Sequence, residues 1–213
     1  SEEQILPLFD RISPAYLITG EREDNYDFDG WVVQDSSDFL RDTLGSESGD
    51  YFKDVDPSEV AVQLFTSGTT GTPKAALLRH EHLVSYILGS VEFMGALEEE
   101  ATLVSVPPYH IAGISAVMSN IYACRQIIQL PNFEPKEWLR LCDKHSVTSA
   151  FVVPTMLTRI IDELDGGYSL DSLQSIAYGG GKMPVPVIQK ALSKFPGVNF
   201  TNAYGLTETS STI

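Results

Sequence analysis

The stretch Val60-Ala61-Val62-Gln63-Leu64-Phe65-Thr66-Ser67-Gly68-Thr69-Thr70-Gly71-Thr72-Pro73-Lys74-Ala75-Ala76-Leu77-Leu78 decides how the chain is read. An apolar run enters, hydroxyls and glycines alternate, a fixed-φ proline precedes a lysine, and a second apolar run leaves. Glycines let successive backbone N–H groups turn toward one point, and tolerate φ > 0 there. Ser and Thr hydroxyls add uncharged donors, and Lys74 adds a point cation. Thr66, Ser67, Gly68, Thr69, Thr70, Gly71 and Lys74 are therefore the candidate phosphate-binding residues, held between two strands. A Walker-type loop needs Gly before the lysine and Ser or Thr after it. Pro73 and Ala75 stand there instead, which excludes it. A simple hairpin turn is the plain alternative, but such turns take two to five residues.

Working outward, strand and helix patterns alternate from Val60 to the end with short connections. Thr102–Val106, Gln126–Leu130, Ser149–Val153, Ser175–Tyr178 and Val198–Thr201 read as strands. Helices are expected over Glu81–Phe93, Ile111–Ala123, Pro135–His145, Pro154–Leu164 and Val185–Lys194, with prolines suited to the first turn of two of them. That alternation predicts an α/β fold of layered, mostly parallel sheets with flanking helices. Ligands in such folds bind past the carboxyl ends of strands. Thr66, Pro108, the glycines Gly179-Gly180-Gly181 and Tyr204 each follow a predicted strand, so four loops can converge on one crevice. Three glycines in a row favour the close approach of a flat ligand over a simple turn.

Three motifs, in order, resemble the adenylate-forming enzymes: acyl-CoA synthetases, luciferase-type enzymes and peptide-synthetase adenylation domains. They are Thr66–Lys74, Pro108-Tyr109-His110 and Tyr204-Gly205-Leu206-Thr207-Glu208-Thr209. The resemblance covers the chain from about Val60 and implies part of the N-terminal domain of such an enzyme. It implies that Thr207 meets the α-phosphate and Glu208 the metal, with His110 completing the catalytic set. It also implies that Tyr204, Asn202, Gly180 and Gly181 hold adenine. Tyr109, His110, Gly113, Ile114, Met156, Tyr178 and Gly179 would line the acyl pocket. Lys182, where the family usually has a small residue, is expected to face solvent. His80 matches the family's histidine at the helix start after the loop, so His80 and His82 are not read as a metal pair.

The implied reaction joins a carboxylic acid to AMP, releases pyrophosphate, and passes the acyl group to coenzyme A. ATP and Mg²⁺ are the expected cofactors, with CoA as co-substrate in a setting such as fatty acid metabolism. Alternatives keep the chemistry but load an acyl carrier protein, or abandon catalysis for a nucleotide-binding or interaction module. The family's ribose-binding aspartate, hinge and C-terminal domain with its catalytic lysine would follow Glu208, yet the sequence stops five residues later. The chain is thus expected to be a piece of a larger synthetase, inactive by itself.

Composition is ordinary for a globular protein, at 43% hydrophobic and 20% charged residues. Charge is lopsided within the net −15: residues 1–60 hold 16 acidic and 4 basic residues, and residues 61–213 hold 13 and 10. No basic stripe is available for nucleic acid or an anionic membrane surface. Residues 1–59 read as an acidic, loop-rich lead-in. It holds a helix over Glu2–Arg11, short strands at Ala15–Thr19 and Trp31–Val33, and a short helix near Ser37–Leu44. Residues 60–213 read as the nucleotide- and acyl-binding core. Cys124 and Cys142, both in apolar helical contexts, are expected to be reduced and buried. No apolar run reaches membrane-spanning length and no leader pattern opens the chain, so a cytoplasmic location is expected.

Overall fold

In the computed structural model the described residues are 8, 11–12, 14–20, 32–46, 49, 54–66, 74–164, 167–209 and 211–212. The chain divides into two units, Ser1–Asp54 and Val55–Ile213. In the first, β1 (Tyr16–Thr19) and β2 (Val32–Asp35) pair in parallel. Helix α1 (Ser36–Gly45) starts at Asp35, whose carboxylate accepts the Ser37 N–H at 2.7 Å. That bond satisfies one of the unpaired donors of the first turn. The expected Glu2–Arg11 helix, apart from Leu8 and Arg11, lies outside the described residues, as does Trp31.

The second unit opens with a turn that the sequence reading assigned to the lead-in. Asp56 accepts from the N–H and Oγ of Ser58, and the Arg79 guanidinium donates to the Ser58 carbonyl. The turn is tied to the strands that follow it, and this places residues 55–59 with the larger unit.

Strands β3 (Val60–Thr66) and β4 (Lys74–Arg79) pair antiparallel, with Thr66 opposite Lys74. They form a two-stranded sheet of their own. The sequence reading set hairpin against phosphate loop; the structure has both strands of a hairpin with a seven-residue connection. Residues 67–73, including Ser67, Gly68, Thr69, Thr70 and Gly71, lie outside the described residues. Helix α2 (His80–Ser90) follows directly and ends before Phe93. Val91 caps it, its N–H donating to the Ile87 carbonyl at 3.1 Å.

The main sheet has five parallel strands in the order β6-β5-β7-β8-β9. These are β5 (Ala101–Val104), β6 (Gln126–Gln129), β7 (Ser149–Val152), β8 (Ser175–Gly179) and β9 (Asn199–Ala203). Between them run α3 (Ile111–Tyr122), α4 (Pro135–Lys144), α5 (Pro154–Glu163) and α6 (Val185–Lys194). Parallel neighbours in register share a face. Leu103, Ala150, Ile176 and Phe200 form one row, toward α4, α5 and α6; Val104, Phe151, Ala177 and Thr201 form the next, on the opposite face.

The helix-covered face carries the main core. On α4, Pro135 occupies the first turn, Glu134 accepts the Glu137 N–H at 2.8 Å, and Trp138, Leu139, Leu141 and Cys142 are buried. On α5, Met156, Leu157, Ile160 and Ile161 are buried at helical spacing. Each fully buried side chain of this size contributes about 1.5–3 kcal/mol. A second, smaller cluster of Leu64, Leu78 and Leu83 packs against Ile111, Ile114 and Met118. It fastens the hairpin and α2 to α3.

Strand order also locates the crevice. From β5 the chain steps to β6 on one side, then crosses to β7 on the other, so the direction of winding reverses between β5 and β7. Open α/β sheets bind ligands beside the carboxyl ends of strands at such a reversal.

Candidate active site

The residues that leave β5 are Ser105 to His110. Tyr109 is 68% exposed and its ring lies 4.8 Å from that of His110, tilted by 54°. His110 occupies the N-cap position of α3, and its carbonyl accepts from the N–H groups of Gly113 and Ile114 at 3.0 and 3.3 Å. Both aromatic rings stand at the strand end, free of core packing. Gly113 is explained by packing: a Cβ there would lie 2.4 Å from the Pro107 carbonyl oxygen. Ile114 belongs to the small hairpin cluster and Met156 to the main core, with Tyr178 at that core's edge. Of the residues expected to line an acyl pocket, then, Tyr109 and His110 face outward while Gly113, Ile114, Met156 and Tyr178 are engaged in packing.

The three glycines after β8 have three separate causes. A Cβ at Gly179 would stand 2.3 Å from the Ala203 carbonyl oxygen, so β9 occupies that space. Gly180 has φ +75°, a conformation that costs other residues about 1–2 kcal/mol. Gly181 has open space, its hypothetical Cβ being 3.9 Å from the nearest Pro154 atom. Neither packing nor backbone conformation accounts for Gly181. Lys182 is exposed.

Tyr204 follows β9 and is 65% exposed; Asn202 is exposed beside it. The chain then folds into a tight hairpin, β10 (Gly205–Leu206) antiparallel to β11 (Ser211–Thr212). A single 3-10 turn, Thr207–Thr209, forms its tip. Thr209 holds that tip: its Oγ accepts the Leu206 N–H at 3.1 Å and donates to the Leu206 carbonyl at 3.0 Å. The sequence reading had no role for Thr209. The tip lies against β4, the strand that Lys74 opens. Thr66 Oγ, which reaches the Lys74 carbonyl at 3.4 Å, spans the base of the connecting loop.

Glu208 and Thr209 border a cavity of about 720 Å³ together with Glu81, His82 and Ser85 of α2. His82 Nδ1 accepts the Arg79 N–H at 3.2 Å, which leaves the ring proton on Nε2. The first backbone donors of α2 are already used, His80 N–H by the Glu59 carbonyl and Glu81 N–H by the Pro57 carbonyl. Among the described residues no group of three or more His, Cys, Asp and Glu side chains is disposed to hold a metal ion. One exposed carboxylate, Glu208, is nonetheless what a Mg²⁺ shared with substrate phosphates and water asks of a protein.

A second cavity of about 560 Å³ lies on the sheet face that α4, α5 and α6 leave uncovered, bordered by α3 and by Asn202 and Ala203. From sequence, α3 reads only as a largely apolar helix, and the cavity is not foreseen. Its polar positions Ser115, Ser119 and Asn120 were the available signal. The cysteine expectation is half corrected. Cys142 is buried, and burial pushes its thiol well above the usual range. Cys124 is exposed, in the turn after α3 at φ +59°.

A family model described as AMP-binding enzyme matches residues 14–213. The 2-succinylbenzoate–CoA ligase of Geobacillus kaustophilus (strain HTA426) is 36% identical over 159 residues, covering 74% of this chain and 32% of that protein. The 4-coumarate–CoA ligase-like 9 protein of Arabidopsis thaliana is 30% identical over 190 residues, covering 85% and 34%. The chain spans about a third of the length of these curated relatives. The solved o-succinylbenzoate coenzyme A synthetase of Bacillus subtilis, in complex with ATP and magnesium ion, superposes with a TM-score of 0.81 at 23% identity. That match covers 100% of this chain and 44% of the other. At that identity the likeness speaks for the fold.

Proposed function

Because this chain belongs to the AMP-binding enzyme family, we propose that it forms the nucleotide-binding part of an ATP-dependent acid–CoA ligase. The observation that carries the proposal is the hairpin tip bearing Thr207 and Glu208, seated against the strand that begins at Lys74 and continuous with Tyr204. Three groups suited to a nucleotide, a ring stack, an acid and a lysine, thus come from two adjoining segments.

In the proposed reaction a carboxylate oxygen attacks the α-phosphorus, the bond from that phosphorus to the bridging oxygen breaks, and pyrophosphate leaves. A thiol then attacks the acyl carbon and AMP departs. Mg²⁺, when bound, neutralises charge on the phosphates and the departing pyrophosphate. Glu208 would hold it. Thr66 to Lys74 would take the β- and γ-phosphates, Thr207 the α-phosphate, and Tyr204, with Asn202, Gly180 and Gly181, the adenine. Fixed donors facing developing charge supply most of the stabilisation in such displacements. His110 and Tyr109 would position the acid at the strand end. The named relatives carry aromatic acids in their names, so an acid bearing a ring, and no longer a fatty acid, is the first substrate to try. CoA is the proposed acceptor, in the cytoplasm. No helix among the described residues is long and apolar enough to cross a membrane.

Calorimetric titration of the chain with MgATP, and with a non-hydrolysable acyl-adenylate mimic, tests this reading. Glu208→Gln and Thr70→Val should each weaken Mg-nucleotide binding, the former by about 1–3 kcal/mol if a charged contact is lost. Unchanged affinity in both variants would refute the site. Pyrophosphate exchange belongs with the longer protein, where a product on CoA but not on a carrier-protein thiol supports the acceptor assigned here. Exchange without transfer to CoA refutes it.

A further inference from the structure

We propose that Thr209 is a positioning residue for the metal: its hydroxyl fixes the backbone that carries Glu208 and thereby sets the affinity for magnesium–nucleotide. The inference rests on the ligase reading above, which gives Glu208 to Mg²⁺ and Thr207 to the α-phosphate.

The tip of the β10–β11 hairpin has little else to hold its shape. Each strand is two residues long, Gly205 and Leu206 facing Thr212 and Ser211. An isolated two-stranded hairpin is marginally stable at best, and this one is shorter than most strands. The contact with β4 seats the tip but buries none of Thr207, Glu208 and Thr209. Apolar packing therefore does not fix the path of the chain here; hydrogen bonds must. Thr209 supplies two, both to Leu206: its Oγ accepts the N–H at 3.1 Å and donates to the carbonyl at 3.0 Å. The ring so closed encloses Thr207 and Glu208 and no other residue.

The same bonds argue against a direct role for Thr209. A threonine hydroxyl has one proton, and here it goes to the Leu206 carbonyl. Thr209 borders the cavity of about 720 Å³ beside Glu208, yet it has no hydroxyl proton left for a phosphate. Its effect must pass through the residues it encloses. The exposed Glu208 carboxylate makes no hydrogen bond or ion pair with any described residue, so its backbone is what aims it. A carboxylate on a loose turn has to be ordered each time the ion binds, against the backbone entropy of every residue fixed. A turn closed beforehand has met that cost in folding. Partners that orient metal-binding groups typically change metal affinity by about 10–100-fold.

The test uses the whole 213-residue chain, titrated by calorimetry with ATP in the presence of Mg²⁺ and with ATP in EDTA. Thr209→Val keeps the shape of the side chain and removes the hydroxyl. Its affinity for MgATP should fall about tenfold, and that for metal-free ATP about twofold or less. Thr209→Ser keeps the hydroxyl and should stay within about threefold of the wild type with MgATP. In a Glu208→Gln background Thr209→Val should cost about twofold or less, since the group it aims is gone. The thermal midpoint of Thr209→Val should stay within about 2 °C of the parent's, because the substituted side chain is exposed. Equal losses with and without the metal, a serine variant as weak as the valine one, or full additivity with Glu208→Gln each overturn this inference and leave the nucleotide site standing. Collapse of the midpoint in Thr209→Val also overturns it, because the hydroxyl would then hold the fold. A wild type that binds neither form of ATP overturns the ligase reading and this inference with it.

Discussion

Alanine substituted in turn at Gly179, Gly180 and Gly181 should separate three physical effects within three adjacent residues. A Cβ at Gly179 falls 2.3 Å from the Ala203 carbonyl oxygen, and carbon–oxygen contacts ordinarily close to about 3.3 Å. One strand must give way by roughly 1 Å. The neighbour is backbone held in register with β8, so it cannot swing aside as a side chain would. Overpacking of this kind costs typically about 1–3 kcal/mol, and rigid backbone on both sides puts Gly179→Ala near the upper end. For a chain of this size that is a fall of about 6–12 °C in the unfolding midpoint. Gly180→Ala is strained by its φ of +75° and should lose about 1–2 kcal/mol, or about 2–8 °C. Gly181→Ala meets nothing closer than 3.9 Å and should unfold within about 2 °C of the parent. Thermal scans followed by circular dichroism read all three. A Gly179→Ala midpoint equal to the parent's, or Gly181→Ala as the most damaged of the set, would refute the reasoning. Nucleotide titration adds an independent readout: Gly181→Ala should weaken adenosine-mimic binding without moving the midpoint if that residue borders the ring.

Further outcomes can be checked with less effort. In the native chain one thiol, Cys124, should react with a disulfide reagent and Cys142 only after unfolding, since burial keeps the latter protonated. For the same reason, stability should fall as pH rises past about 9, where the unfolded Cys142 thiol ionises and the folded one does not; Cys142→Ala should lack that limb. Asp56 has its carboxyl lowered by the backbone and side-chain hydrogen bonds of Ser58 and then by Arg79. Its contribution is present above the ordinary aspartate value of 3.8 and is lost as pH falls through the folded value. Asp56→Asn should therefore be less stable than the parent at pH 7, with the difference shrinking in acid titrations followed by tryptophan fluorescence. Arg125→Met removes three guanidinium bonds, two to Glu100 and one to Asn120, from a pair that is about one-fifth exposed, and leaves Glu100 uncompensated. Urea denaturation should show a loss of about 1–3 kcal/mol, and a loss near zero would mean that water replaces the pair.

Local patterns carried much of this in one dimension. Alternating apolar runs, prolines at the starts of α4 and α5, and a hydroxyl–glycine loop ending in lysine are short-range signals, and backbone preference acts over those same few residues. Helices and parallel strands, and three motif-bearing loops at the strand ends, were accordingly legible from residue order. What residue order leaves open is which distant segments become neighbours. The pairing of β3 with β4 outside the main sheet, the reversal of winding between β5 and β7, and the seating of Thr207–Thr209 on β4 depend on contacts made across long stretches of chain. So do the separate duties of the three glycines: Gly179 answers to a carbonyl 24 residues away in sequence. Helix α3 shows the same limit, since its serines cannot be read until the sheet face opposite them is known. Sequence alone determined the class of fold and which side chains the loops carry, because backbone propensity and side-chain type are local properties. Tertiary structure decided which of those segments adjoin and which residues are engaged in packing, because proximity and burial belong to the folded chain as a whole.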